Sequence, residues 1–209
     1  MPADKAHHFA EIFAGNSLDG VNSHGMNRYA RYLGDMESGL CDAKVTQAEK
    51  VSGLGGLEVW DAHFGVGPLI AQQAAQRAVD LAKEHGIACV ALRNNSHWLR
   101  AGRFGLMMAE QGMMGLCMTN TEAIMVPTYG KQPMIGTNPI ALAMPADPIP
   151  FSFDCATTVV PRGKFEVFTK RGDPVPVGWG VDENGQDSTD APRILSNIIA
   201  KAGGGILPL

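Results

Sequence analysis

The sequence has no CxxC pair, no GxGxxG or GxxxxGK[ST] loop, no HExxH pair and no apolar run longer than a strand. Each absence removes a class of protein. Cys41, Cys89, Cys117 and Cys155 are widely separated. Two of them sit in apolar strand-like runs, so they read as buried reduced thiols of a cytoplasmic protein rather than a disulfide frame or zinc site. Gly53-Leu54-Gly55-Gly56 and Gly65-Val66-Gly67 only approach the glycine fingerprints, which disfavours a standard Rossmann or P-loop site. Without HExxH spacing a metal site is not expected. The longest apolar runs, such as Ile87 to Leu92, fall far short of a membrane span. The N-terminal Met1 to His8 lacks the basic-then-apolar order of a secretory signal. A net charge of -4 and a pI near 5.8 leave no basic footprint for nucleic acid or an anionic membrane.

What is present is an ordinary soluble composition: 209 residues, 45% of them hydrophobic, with a mean hydropathy of -0.03. That is enough chain to bury a core as one large domain or two small ones. Twenty-five glycines imply tight connections and close backbone approach to a ligand. No internal repeat or low-complexity tract occurs.

Phe9, Ile12 and Phe13 have helical spacing, predicting a helix from His7 to about Gly15 that ends at Gly15-Asn16. A second helix is predicted from near Ser23 or Asn27 to Ser38, with Tyr29, Tyr32, Leu33 and Met36 on one face and Gly39 as its stop. Residues 41 to 56 read as a short strand and turn, and Leu57 to Asp61 alternates as a strand. Pro68 opens a helix that runs to His85-Gly86. Ile87 to Leu92 is apolar throughout and predicts a strand buried on both faces. A polar loop, Arg93 to Trp98, then leads to a helix from about Leu99 to Gln111 and a strand from Gly115 to Asn120. This α/β unit places polar groups at strand ends, where open α/β sheets bind ligands.

Residues 121 to 150 are rich in Pro and Gly and read as a structured loop wall, interrupted by a strand from Ile140 to Met144. Phe151 to Asp154 reads as another strand, Lys164 to Thr169 as strand or helix, Asp173 to Gly180 as a rigid turn and Asp182 to Gly185 as a surface turn. The chain closes on the apolar Gly203 to Leu209, an ending that anticipates further chain.

The chemistry concentrates in Asn22-Ser23-His24-Gly25-Met26-Asn27-Arg28. A hydroxyl, an imidazole with a pKa near neutrality and a guanidinium able to grip a carboxylate fall within six residues. They lie at a predicted helix start, where backbone N–H groups favour anions. The same tripeptide also suits a helix cap or turn. His97, after a strand end and beside Asn94, Asn95 and Ser96, is a second candidate, and it could equally cap the next helix. Asp154 could orient an imidazole as a buried carboxylate does, or cap Thr157 or Thr158.

Taken in order, Ser23-His24-Gly25 with Arg28, Trp60-Asp61-Ala62, His85-Gly86-Ile87, Arg93 to Trp98, Thr119-Asn120, Gly136-Thr137-Asn138-Pro139, Asp154 and Pro176-Val177-Gly178-Trp179 span nearly the whole chain. This series resembles the malate/L-lactate dehydrogenase family that lacks a Rossmann fold. Trp60 before Asp61 and Trp98 after His97 resemble its diketogulonate reductase branch. The resemblance implies a non-Rossmann α/β fold, with a helical segment over 1–50 carrying the Ser-His-Gly motif and a cofactor-binding α/β domain over 51–209. It implies hydride transfer between NAD or NADP and a small 2-oxo acid, in a cytoplasmic homodimer. His24 is then the proton donor and Asp154 its support or the cofactor's. Ser23, Arg28, His97 and Thr121 bind substrate. Asn120, Asn138 and the segment Pro150, Phe151, Ser152, Phe153, Asp154, Cys155 and Ala156 lie beside the dinucleotide.

Relatives in this family have more helix before His7 and a long part after the Leu207-Pro208 element, so the chain reads as truncated at both ends. Gly130-Lys131-Gln132-Pro133 is one residue shorter than in those relatives, and no role is carried onto Lys131. The competing expectation is a non-catalytic relative that binds ligand weakly or associates with a full-length subunit.

Overall fold

The computed structural model describes residues 1–209 and divides them into two compact units. The first comprises Met1–Cys117 with Leu142–Phe153, and the second Met118–Ala141 with Asp154–Leu209.

In the first unit, α1 (Ala3–Leu18) and α2 (Met26–Glu37) are joined through a short 3-10 turn over Asn22–His24. Phe9, Ile12 and Phe13 meet Tyr32, Cys41, Val66, Leu69 and Leu99 in one apolar cluster. Its rings pack edge to face, Phe9 on Phe13 at 4.9 Å and Phe13 on Tyr29 at 5.2 Å, the arrangement ring quadrupoles favour. α1 continues three residues past the expected stop at Gly15. The reason is that Asn16 is fully buried, turned toward the 3-10 turn rather than breaking the helix.

β1 (Glu49–Leu54) and β2 (Leu57–Asp61) form an antiparallel hairpin across Gly55-Gly56. α3 (Gly67–His85), with Pro68 in its first turn, carries the chain over to β3 (Cys89–Arg93), which pairs parallel to β2. The sheet order is β1-β2-β3. The Ile87–Leu92 stretch departs from expectation, since β3 starts only at Cys89 and is half-exposed along its length rather than buried on both faces, and Ile87 ahead of it is 81% exposed. The cause is its position at the sheet edge, where α3 covers one face only. Cys89 is consequently exposed, whereas Cys117 is buried as expected.

α4 (Ala101–Ala109) leads to β4 (Gly115–Met118), which lies in a sheet of order β4-β5-β6 with β5 (Ile140–Met144) and β6 (Phe151–Cys155).

The second unit has its own core of Ile124, Phe165, Val175, Ala191, Ile194, Ile198 and Ile206. α5 (Arg162–Arg171) settles the ambiguous 164–169 stretch as helix. A short antiparallel ladder pairs β7 (Gly180–Val181) with β8 (Gly205–Ile206). α6 (Ala191–Ala200) has no counterpart in the expected elements. Its start is nonetheless conventional, with Pro192 in the first turn and the Asp190 side chain accepting the Arg193 N–H at 3.0 Å. No helix is long and apolar enough to cross a membrane.

Candidate functional site

The Ser-His-Gly segment is the 3-10 turn itself, and Arg28 lies on the first turn of α2. Ser23 Oγ is 2.9 Å from His24 Nδ1, leaving Nε2 as the ring's other proton site. The helix start at Gly25 is not capped by a side chain of its own segment. Ser17 reaches across from α1 instead, its Oγ accepting the Met26 N–H at 2.8 Å. Ser23 is therefore not the cap that the tripeptide alone allows.

His97 stacks on His24, with ring centroids 5.6 Å apart and planes 26° apart. It sits in the loop after β3, one of two loops leaving the C-terminal ends of the parallel strands. Its Nδ1 accepts the Leu99 N–H at 3.1 Å, which places the ring proton on Nε2. Burial, with the positive charges of Arg28, His24 and Arg31 around it, pushes its pKa down to about 3. His97 is thus a neutral hydrogen-bond donor near neutral pH, and its capping-like bond serves a turn ahead of α4 rather than the helix itself. The two stacked imidazoles are chemically different, and the arginines beside them make the surroundings attractive to an anion.

Two polar knots hold that loop. Asp61 accepts the His63 N–H at 2.9 Å, the Asn94 amide at 3.1 Å and Arg93 Nε at 2.8 Å, and these bonds hold its carboxyl down at about 2. Ser96 Oγ donates to the Gly65 carbonyl at 2.5 Å and accepts the Gly67 N–H at 3.0 Å, with Tyr32 Oη also 3.0 Å away. Burial holds the Tyr32 phenol well above its ordinary pKa, so it is a neutral partner. In the sequence Tyr32 reads only as one residue of an apolar helix face; nothing in helical spacing signals its hydroxyl.

In the second unit, the Thr119-Asn120 and Gly136–Pro139 motifs come together. The Thr121 N–H donates to Asn138 Oδ1 at 2.9 Å, and the Thr121 and Thr137 hydroxyls lie 3.2 Å apart. A β-carbon at Gly136 would sit 2.1 Å from Thr121 Oγ1, so only glycine permits this approach. Asn120 and Thr121 are exposed.

Pro150 to Ala156 runs along the edge strand β6, where Phe151, Ser152, Phe153 and Asp154 are all exposed and Cys155 is half-buried. The burial assumed for Asp154 does not hold, because it lies on the edge strand β6 and is exposed there. Thr157 gives its N–H and its hydroxyl to the Thr137 carbonyl at 2.8 and 3.1 Å, and the Thr158 hydroxyl donates to the Val160 carbonyl at 3.0 Å.

This order of elements defines a class, the mixed α/β fold of malate and lactate dehydrogenases. Malate dehydrogenase from Entamoeba histolytica superposes on 99% of the chain with a TM-score of 0.92 at 27% identity, and 57% of that protein is covered. Delta1-piperideine-2-carboxylate reductase from Pseudomonas syringae pvar. tomato matches all of it with a TM-score of 0.89 at 31% identity, with 61% of that protein covered. The chain belongs to the malate/L-lactate dehydrogenase family, which it matches over residues 1–209. It is 42% identical over 194 residues to 2,3-diketo-L-gulonate reductase from Salmonella typhimurium, a match covering 92% of this chain and 57% of that relative. The chain therefore spans a little over half the length of the curated relatives it matches.

Proposed function

We propose that this chain carries the acid–base half of an NAD- or NADP-dependent 2-oxo acid reductase, most similar in specificity to a 2,3-diketo-L-gulonate reductase. The observation that carries the reading is the stacked pair of His24 and His97, the latter's pKa held down by burial and by the positive charge of Arg28 beside it. Family membership supplies the reaction class.

In this reading the carboxylate of the 2-oxo acid pairs with Arg28, while Ser23 and the neutral His97 hydrogen-bond the carbonyl oxygen. His24 Nε2 delivers a proton to that oxygen as the carbonyl carbon is reduced, and solvent returns the proton to the ring. In the oxidative direction the same nitrogen removes the hydroxyl proton. Thr121 is assigned to substrate binding, and Asp154 to support of His24 or the cofactor.

A bound nicotinamide dinucleotide supplies the hydride. The residues we assign to it are Asn120, Asn138 and Pro150 to Ala156, within the cofactor-binding part placed over 51–209. The fit is supported by the exposed edge of β6, where the Phe151 and Phe153 rings, 49% and 47% exposed, offer apolar surface and the outer strand edge offers backbone donors and acceptors.

We place the protein in the cytoplasm, a reading supported by four free thiols. We also assign it a homodimer, supported by the apolar outward residues Leu54, Leu57 and Val59 on the β1-β2-β3 sheet. The test is turnover: purified chain, NADH or NADPH, a panel of 2-oxo acids, and the absorbance of reduced nicotinamide. Oxidation of one dinucleotide that depends on the acid is the expected result. No turnover together with no binding of either dinucleotide would leave the non-catalytic alternative standing.

A further inference from the structure

We propose that Asn16, with Ser17 beside it, is a positioning residue for His24: the last turn of α1 aims the imidazole by gripping the backbone on both sides of it. The inference rests on the role given to His24 above. Asn16 is fully buried near the end of α1. Its Nδ2 donates to the His24 carbonyl at 2.9 Å, and its own backbone carbonyl accepts the Val21 N–H at 2.9 Å. One residue therefore holds both the entry to the 3-10 turn and its last carbonyl.

Ser17 completes the grip by accepting the Met26 N–H at 2.8 Å, two residues beyond His24. The two segments are pressed so close that a β-carbon at Gly25 would stand 2.2 Å from Ser17 Oγ and 2.9 Å from its backbone nitrogen. Glycine after His24 is thus required by α1, not by the chemistry of the turn. The Oδ1 of Asn16 has no hydrogen-bond partner although it is buried, a cost that a merely space-filling residue would not carry. The amide is retained for its donor end.

The direct test is Asn16→Asp, which keeps shape and volume but replaces the donor aimed at the His24 carbonyl by an acceptor. Ser17→Ala is the second variant, for the case that Asn16→Asp does not fold. Two readouts are taken on folded protein: kcat and KM for the 2-oxo acid, and the His24 ring signals and pKa in histidine-labelled chain, assigned by their loss in His24→Gln. Displacing a catalytic group by a fraction of an ångström to an ångström costs on the order of tenfold to a hundredfold in rate. We expect kcat to fall by that factor with KM within about twofold, and the His24 signals to move while those of His85 stay in place. Ser17→Ala should shift the same signals less. Loss of stability with unchanged kcat and unchanged His24 signals, in whichever variant folds, would overturn the proposal and leave Asn16 and Ser17 as core residues. If the wild type shows no turnover, the reductase reading fails separately, and the ring signals still decide whether Asn16 positions His24.

Discussion

Replacing Ser96 by Ala removes one oxygen on which four groups converge, and the structure ranks this loss against its neighbour's. Ser96 Oγ donates to the Gly65 carbonyl and accepts from the Gly67 N–H, with Tyr32 Oη as its third partner and Cys41 Sγ 3.6 Å away. Without it, the buried Gly65 carbonyl keeps only a weak thiol donor, Cys41 Sγ at 3.5 Å, and the Tyr32 hydroxyl loses its oxygen acceptor. Each buried polar group left unsatisfied costs about 1–3 kcal/mol. With partial compensation by the thiol, Ser96→Ala should destabilise the fold by about 2–3 kcal/mol. Tyr32→Phe is milder, because the Gly67 N–H keeps Ser96 Oγ and Ser96 keeps Gly65. It should cost about 1 kcal/mol, the net worth of one hydrogen bond. Urea unfolding, with midpoints compared at unchanged slope, measures both. A Tyr32→Phe variant as destabilised as Ser96→Ala would refute the picture of Ser96 as the centre of this knot.

Phe13 is fully buried among Phe9, Tyr29 and Tyr32, so Phe13→Ala should cost about 3–5 kcal/mol in the same urea experiment. Glu58 is buried beneath Arg77, Lys50 and Trp60, and the Arg77 hydrogen bonds lead in holding its pKa down to about 2. A depressed carboxyl contributes stability above its ordinary pKa of 4.5 and loses it as pH falls toward about 2. Acid unfolding should therefore be steeper across that window in wild type than in Glu58→Gln. For His97 the depressed value means that the unfolded chain binds the extra proton. Its share of stability is complete above about 6.5 and is lost as pH falls toward about 3. In NMR titrations, the His97 ring should show no protonation between pH 5 and pH 8.

Much of the frame was legible where the chain writes its own boundaries. β5 begins and ends where Ile140 to Met144 stands between Pro139 and Pro145, and α3 begins at Gly67, with Pro68 in its first turn, and stops before Gly86. Ile87 to Leu92 misled because a continuous apolar run reports hydrophobicity but not neighbours. β3 has a helix on one face only, and its outward residues are exposed. α6 has no counterpart among the elements expected from sequence, although Asp190, Pro192 and the spacing of Ile194 and Ile198 mark a capped helix with one buried face.

The site divides in the same way. Ser23, His24, Arg28 and His97 announce themselves by chemical type, and the structure stacks the two imidazoles. The residues that hold them are invisible to local pattern. Asn16 reads as a helix stop, and Tyr32 and Ser96 read as a core ring and a loop hydroxyl. Their roles come from bonds between positions as far as 64 residues apart. The neutrality of His97 is likewise a product of tertiary burial and of arginines on another element.

The measurement that bears most directly on the central reading is the rate of dinucleotide oxidation with a 2-oxo acid, compared between wild type and His24→Gln, alongside the dissociation constant of the dinucleotide. A proton carrier at Nε2 predicts a loss of kcat on the order of a hundredfold to ten-thousandfold with dinucleotide affinity unchanged. A His24→Gln variant that turns over at the wild-type rate, or one that loses rate and affinity together, would contradict it.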